Sequence, residues 1–174
     1  MFNRYAASRE RMKHDLDKAR LLLGQRLSVL LHDQYYFNDE KCPEDIGSLV
    51  WLCGEHQTVS MYLLADGESV GAELSDLPPP APFELGADSA CSWRRENLLS
   101  ELSALSLEGK IITEVQGVVD KRLDEEARLV AFKITFETGD YLIYLNQGDD
   151  AVMLINEPAE SVTGIETRLV TSLG

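Results

Sequence analysis

The first regular pattern in the chain is an apolar stripe near the N-terminus. Its positions recur at intervals of three and four residues, which is the spacing of one face of an α-helix. The stripe consists of Met12, Leu16, Ala19, Leu23, Leu27 and Leu30, with Leu22 and Val29 beside it. The spacing predicts a long amphipathic helix over about residues 6–32. Gly24 weakens this helix by about 1 kcal/mol relative to alanine and favours a bend.

Three short runs after this helix predict strands. Residues 49–53, 58–65 and 69–74 are rich in β-branched and apolar side chains, which favour extended structure. Asp66-Gly67 lies between the second and third runs, and this dipeptide indicates a tight hairpin because both turn positions need positive φ. A three-stranded antiparallel meander is therefore expected to follow the helix.

A proline-rich segment separates this meander from the rest of the chain. Residues 75–90 hold four of the six prolines, and a run of this kind favours a stiff, extended connector. We therefore divide the chain into residues 1–77, a connector over 78–91, and residues 92–174, although the whole chain also suits one compact domain.

The C-terminal part begins with a second predicted helix. Ser92 has the chemistry of an N-cap, Leu98, Leu102 and Leu105 have helical spacing, and Gly109 provides the end. Trp93 is expected to anchor this helix to a sheet.

The apolar period then changes to two. Val130, Phe132, Ile134 and Phe136 alternate with other side chains, which is typical of a half-buried strand. Further strands are predicted at residues 111–119, 141–145, 151–156 and 164–171. The predicted fold class is α+β, with two halves that each place a helix before an antiparallel sheet of three and then five strands. The halves fit a diverged duplication, although no residue-level repeat is clear.

Charge is distributed unevenly along the chain. The formal net charge is −14, yet residues 1–31 carry seven Lys and Arg against three Asp and Glu, and the remaining residues carry nine against twenty-seven. A field of this sign excludes nucleic acid as a direct ligand of the main body and attracts cationic partners.

The predicted hairpin turns of the C-terminal sheet concentrate acidic residues. Alternate turns of a meander emerge at the same end of the sheet, so the first and third turns are expected to form one negative rim. The candidate residues for binding a basic protein partner are Asp124, Glu125, Glu126, Asp149 and Asp150. A solvated edge that blocks edge-to-edge pairing and a calcium or magnesium site are the alternatives.

Cys91 is the candidate reactive thiol. It lies at the N-terminus of the second predicted helix beside Arg94 and Arg95, where the helix dipole and both guanidinium groups favour thiolate. The histidines, His14, His32 and His56, occur in no metal-binding or catalytic motif. We therefore predict no metal, no cofactor and no catalytic residues.

The compartment follows from two features. Cys42, Cys53 and Cys91 form neither a disulfide framework nor a metal-ligand spacing. No apolar run approaches the roughly 18–20 residues of a membrane span, and the N-terminus lacks the apolar stretch of a secretory signal. The sequence thus predicts a cytoplasmic protein with reduced thiols and no membrane association.

Three adjacent aromatic residues, Tyr35, Tyr36 and Phe37, follow the first predicted helix. Three neighbours cannot all enter one core, so at least one fills a gap between elements or belongs to a contact surface. Both interpretations are open from the sequence.

Residues 109–120, 134–142 and Asp149-Asp150 resemble the strand-and-turn pattern of small acidic bacterial proteins, including immunity-type proteins that neutralise toxin domains. The resemblance implies a non-catalytic protein whose acidic surface blocks a basic toxin such as a nuclease. We therefore expect a non-enzymatic binding protein. The alternatives are a small thiol-dependent enzyme at Cys91 and a self-associating structural module, the latter a homodimer through the N-terminal helix.

Overall fold

The computed structural model describes residues 8–54, 57–100, 104–148 and 150–173 of the chain. Within these residues it has one α-helix and one large antiparallel sheet of eleven strands. The elements are α1 (Arg9–Ala19), β1 (Leu27–Phe37), β2 (Glu40–Cys53), β3 (Gln57–Leu63), β4 (Val70–Glu73), β5 (Phe83–Gly86), β6 (Ser89–Asn97), β7 (Ile112–Arg122), β8 (Arg128–Phe136), β9 (Tyr141–Asn146), β10 (Ala151–Ile155) and β11 (Ile165–Val170). The α+β prediction with a helix before each sheet is therefore wrong, and the fold is mainly β.

The first helix is much shorter than its apolar spacing predicts. It ends at Ala19, a 3₁₀ turn follows, and Gly24 takes a φ of +81°, which ends the helical path. Leu27 and Leu30 belong to β1, whose pairing with β2 shifts register between Leu27 and Val29. Such a bulge places residues three apart on one face of a strand, and this spacing imitates a helix.

The second predicted helix is also absent from the described residues. Ser92 and Trp93 lie within β6, which pairs with β1, and 3₁₀ turns at Leu98–Ser100 and Leu105–Leu107 follow it. Leu102 lies outside the described residues. Pairing of β6 with β1 therefore replaces the predicted helix start at Ser92, while Leu98 and Leu105 lie in the 3₁₀ turns that follow.

The predicted strands are confirmed. Strands β2, β3 and β4 form the first meander, and β7 to β11 account for the five runs of the C-terminal part. At the turn between β3 and β4, Gly67 alone has positive φ, at +75°, while Asp66 accepts hydrogen bonds from the backbone nitrogens of Glu68 and Ser69. An Asx-type turn therefore replaces the predicted turn with two positive φ values.

Strand order shows that the chain repeats one unit. The order β6-β1-β2-β3-β4 in the first half matches β11-β7-β8-β9-β10 in the second, and β5 is an addition at the edge. The first nine positions of β1 and β7 have the same sequence of buried, partly buried and exposed residues. The structure thus shows an internal repeat whose units differ from the two helix-plus-sheet halves suggested by the sequence.

The two halves meet around a pseudo-two-fold axis at the isolated bridge between Arg26 and Ile111. Backbone hydrogen bonds cross this axis in reciprocal pairs, and each pair is related by a shift of 85 residues. The bonds run from Gly24 N to Ile112 O (2.8 Å), Gly109 N to Leu27 O (2.9 Å), Leu27 N to Lys110 O (3.0 Å) and Ile112 N to Gln25 O (2.8 Å). One hydrophobic core contains residues of both halves, such as Leu49 and Phe132.

Helix α1 is attached to the sheet by a buried ion pair. Arg11 Nε donates to both carboxylate oxygens of Asp15, at 3.0 and 2.9 Å, and Asp15 also accepts from the backbone nitrogen of Ala72. The stripe residues Met12 and Leu16 are buried in the core of the same chain, so this apolar face is already covered. No helix among the described residues has the length and apolarity needed to cross a membrane.

Candidate binding cleft

The first predicted acidic group forms an exposed turn between β7 and β8. Asp124, Glu125 and Glu126 are exposed, and Asp124 has a φ of +62°. Arg122 Nη1 lies 2.6 Å from a carboxylate oxygen of Glu68 and 3.7 Å from one of Glu125. Arginine is therefore interleaved with these carboxylates and offsets part of their charge.

The structure separates the predicted acidic residues. Glu125 and Glu126 line a depression of about 310 Å³ together with Gln147 of the third turn, so these two turns do reach the same end of the sheet. Asp149 lies outside the described residues. Asp150 lines a different cleft, of about 280 Å³.

This second cleft is called the aromatic cleft below. Its lining residues are Tyr35, Asp45, Ile46, Gly47, Trp93 and Asp150. Tyr35 of β1 and Trp93 of β6 are directly paired across the two strands, and their ring centroids are 5.3 Å apart. Phe83 of β5 extends the row, with its ring centroid 5.7 Å from that of Trp93. Strand pairing thus builds a continuous aromatic wall on one face of the sheet.

A glycine keeps the aromatic cleft open. A Cβ atom built at Gly47 would make ordinary van der Waals contacts, 3.5 Å from Asp33 Cβ and 3.9 Å from Trp93 Cδ1, so a side chain at this position would project beside Trp93, which lines the cleft. The Tyr144 hydroxyl donates to the Gly47 carbonyl from the core side, which holds this backbone in place. A bulky residue at this position would fill the cleft.

The carboxylates give the aromatic cleft a negative character. Asp45 and Asp150 line it, and both are partly exposed. Arg95, which follows Trp93 on the same face of β6, is held by Asp33 at 3.0 Å and by Asp76 at 2.6 Å. An aromatic wall beside carboxylates is the arrangement that recognises a cationic group.

Cys91 lies within β6, so the expected helix N-terminus beside it is wrong. The thiol is only 2% exposed, and the Tyr35 hydroxyl donates to its sulfur at 3.0 Å. This hydrogen bond, with a smaller effect of burial, raises the pKa of Tyr35 to about 12. Along the pairing of β1 with β6, His32 is opposite Glu96, five positions away from Cys91 and on the other face. His56 lies outside the described residues.

The sequence pointed to Asp150 but not to its neighbours. Tyr35 and Phe37 share one face of β1, with Tyr36 on the other, whereas the sequence pattern predicts only that the three aromatics follow a helix. Trp93 was placed in a helix. If residues 33–37 are assigned to a strand, the alternation of Tyr35 and Phe37 with Tyr36 between the two faces follows. No local sequence signal predicts that this strand pairs with residues 91–95.

The lining of the aromatic cleft combines aromatic rings with carboxylates. Across the ranges that the structure describes, no group of three or more His, Cys, Asp or Glu residues is arranged to hold a metal ion. Comparisons of the chain with protein-family models, with curated proteins and with solved structures found no match.

Proposed function

We propose that this chain is a non-enzymatic binding protein that captures a basic protein partner. The aromatic cleft supports this proposal, because it places Tyr35 and Trp93 beside the carboxylates of Asp45 and Asp150. A lysine or arginine side chain of the partner would enter between the rings and the carboxylates. A basic toxin domain is one partner class of this kind.

The energies of cation–π contacts and of exposed ion pairs indicate that the rings would contribute most of the affinity. A cation over tryptophan or tyrosine contributes about 0.5–1 kcal/mol when exposed and about 2 kcal/mol when desolvated. Exposed ion pairs contribute at most about 1 kcal/mol and weaken with salt. The net charge of −14 acts mainly on the association rate by steering basic partners toward the surface.

Fluorescence anisotropy tests the proposal with a labelled peptide that carries three arginines spaced by glycine and serine. Its matched control has glutamine in place of arginine. We expect the arginine peptide to bind and its affinity to fall at high salt. Trp93→Ala is expected to weaken binding about tenfold or more, because tryptophan anchors often contribute over 1.4 kcal/mol, and Gly47→Leu is expected to weaken it similarly by filling the cleft.

Charge variants distinguish the aromatic cleft from the acidic turn. Asp45→Asn with Asp150→Asn should weaken binding of the arginine peptide, whereas Glu125→Gln with Glu126→Gln should change it little. The reverse result would identify the turn as the contact surface. Equal binding of the arginine and glutamine peptides would refute recognition of a cation.

A further inference from the structure

Helix α1 packs on β7 and β8 of the second half and on β4 of the first half at a defined place. Leu16 packs over Gly117 of β7, where a Cβ atom would lie 3.2 Å from Leu16 Cδ1 and 2.7 Å from Leu129 Cδ1. Asp15 binds the backbone of Ala72 in β4. The helix therefore lies over β7 and β8 and against β4.

The duplication defines the equivalent place on the first half. Val119 pairs with Leu129 in the second half, and Gln34 pairs with Ile46 in the first. Both pairs directly follow a register shift, so the bulge is repeated as well. By the same shift of 85 residues along the chain, His32 of β1 is equivalent to Gly117 of β7. Strand β10 is likewise equivalent to β4.

A cavity of about 650 Å³ lies at this equivalent place and is called the β1–β10 cavity here. Its lining includes strand residues from β1, β2 and β10 and one residue of the 3₁₀ turn after β6. Six of them are His32, Gln34, Ile46, Leu98, Met153 and Ile155. The cavity thus occupies, against β1, β2 and β10, the position that α1 occupies against β7, β8 and β4.

The second half has too few residues before its first strand to build a helix there. Ala19 corresponds to the equally buried Ala104, and the 3₁₀ turn Arg20–Leu22 corresponds to Leu105–Leu107. The eleven positions of α1 then correspond to residues 94–104, which begin within β6 and include the turn Leu98–Ser100. Among the described residues of this segment, none forms an α-helix.

The cavity has apolar walls and a polar floor. Leu98, Met153 and Ile155 provide apolar surface, while His32 Nε2 lies 3.3 Å from Gln34 Oε1. Lys41 Nζ lies 3.2 Å from the Glu96 carboxylate, which also accepts from Tyr36. Burial opposes ionisation of Glu96, but these two hydrogen bonds outweigh it and lower its pKa. The lining residues Lys41 and His32 therefore lie next to the ionised Glu96 carboxylate, which is not itself part of the lining.

We propose that the β1–β10 cavity receives an amphipathic helix of the basic partner, seated on β1 and β10 as α1 is seated on β7 and β4. The basic character of that helix rests on the proposed function and on the net charge of −14, which steers cationic partners toward the chain as a whole. The N-terminal 31 residues carry seven bases and three acids, whereas the rest of the chain carries nine and twenty-seven. Helix α1 itself carries four Lys and Arg against three Asp and Glu, so it is a precedent for the seating of a helix and not for its charge.

His32 specifies one feature of the incoming helix. Leu16 reaches the sheet because Gly117 has no side chain. At the equivalent position, the imidazole of His32 occupies that space. The helix in the β1–β10 cavity therefore needs a small residue, such as alanine, where α1 has leucine.

A peptide with the sequence of residues 8–22 and the change Leu16→Ala serves as the probe. Lys13 and Asp17 are exposed and 2.8 Å apart in α1, so a lactam bridge between them fixes the helix without blocking its apolar side. We expect the peptide to bind the full chain and to shift the NMR signals of His32, Met153 and Ile155. The parent peptide with Leu16 is expected to bind at least fivefold more weakly.

Variants of the full chain provide the controls. Met153→Asp should weaken binding of the bridged peptide at least tenfold, whereas Leu169→Asp, at a half-exposed apolar position on β11, should leave it unchanged. Absence of binding, unchanged affinity with Met153→Asp, or NMR shifts confined to other strands would each overturn the inference.

The aromatic cleft is tested separately with the same chain. Trp93→Ala should leave binding of the bridged peptide intact, because Trp93 and His32 lie on opposite faces of the sheet. If the arginine peptide binds at the aromatic cleft while the bridged peptide does not bind, the helix site alone fails. If the bridged peptide binds and the arginine peptide does not, the proposed cation recognition alone fails.

Discussion

Removing the cation of the Arg11–Asp15 pair is a direct test of how α1 is held on the sheet. Asp15 is fully buried, and Arg11 is 1% exposed. In Arg11→Met, the Asp15 carboxylate would keep its bond from Ala72 but lose the charge that balances it. An uncompensated buried charge costs about 3–5 kcal/mol. We therefore expect the free energy of unfolding to fall by this amount, which urea denaturation measures.

The pH dependence adds an independent check on the Arg11→Met variant. Burial is the main cause that raises the pKa of Asp15 from 3.8 to about 6, so the folded state binds its proton more tightly than the unfolded state does. Protonation of Asp15 contributes its full share to the free energy of unfolding below about pH 4, and this contribution is lost as the pH rises through about 6. Loss of Arg11 raises the pKa of Asp15 further. The deficit of Arg11→Met relative to the parent should thus be smaller at pH 5 than at pH 8.

Two further variants complete this test. Arg11→Met with Asp15→Leu should recover most of the lost stability, because well-packed apolar residues often replace a buried ion pair at little cost. Lys13→Met breaks the exposed pair with Asp17 and should cost at most about 0.5 kcal/mol. A deficit below about 1 kcal/mol for Arg11→Met, or one that does not change with pH, would refute the reasoning.

The remaining predictions concern glycines and are measured by urea denaturation. Gly24→Ala and Gly109→Ala both place a side chain at positive φ at symmetry-related sites, so each should cost about 1–2 kcal/mol and the two costs should agree; clearly different costs would contradict equivalent roles. Gly117→Val overfills the contact with α1 and should cost about 1–3 kcal/mol. Gly47→Ala, whose Cβ has ordinary contacts, should cost far less, and equal costs for these two would contradict the packing argument.

The sequence predicted strands well where the apolar period is two and uninterrupted. The alternation of Val130 to Phe136 corresponds to β8, and the turn at Gly67 lies where the Asp-Gly dipeptide placed it. It failed at β1, because the bulge after Leu27 breaks the period. Helical spacing of apolar residues is therefore ambiguous wherever a strand contains a bulge.

The duplication was hidden because few of its residues are identical. Over residues 19–37 and their equivalents, only Ala19, Leu22 and Gly24 have the same residue type at the position 85 further along. What the halves share is the pattern of burial and the backbone geometry at the turns. These properties depend on residue class and on long-range pairing, so inspection of a single sequence does not reveal them.

The candidate site was harder to predict than the strands. Asp150 was among the predicted acids, but Asp45 and Gly47 belong to β2 and Trp93 to β6, and these strands meet only through their pairing with β1. The acidic residues of the turn after β7 were conspicuous in sequence and are interleaved with arginine in space. Charge counting along the chain does not reveal such neighbours.

The pseudo-two-fold axis also has an evolutionary consequence. In a symmetric homodimer each substitution appears twice, so both copies of a surface change together. Fusion of two copies into one chain removes that constraint. Here one copy has glycine at position 117 and is closed by a helix, while the other has histidine at position 32 and stays open. Covalent linkage therefore allows the two equivalent places to differ, and here one holds α1 while the other is an open cavity.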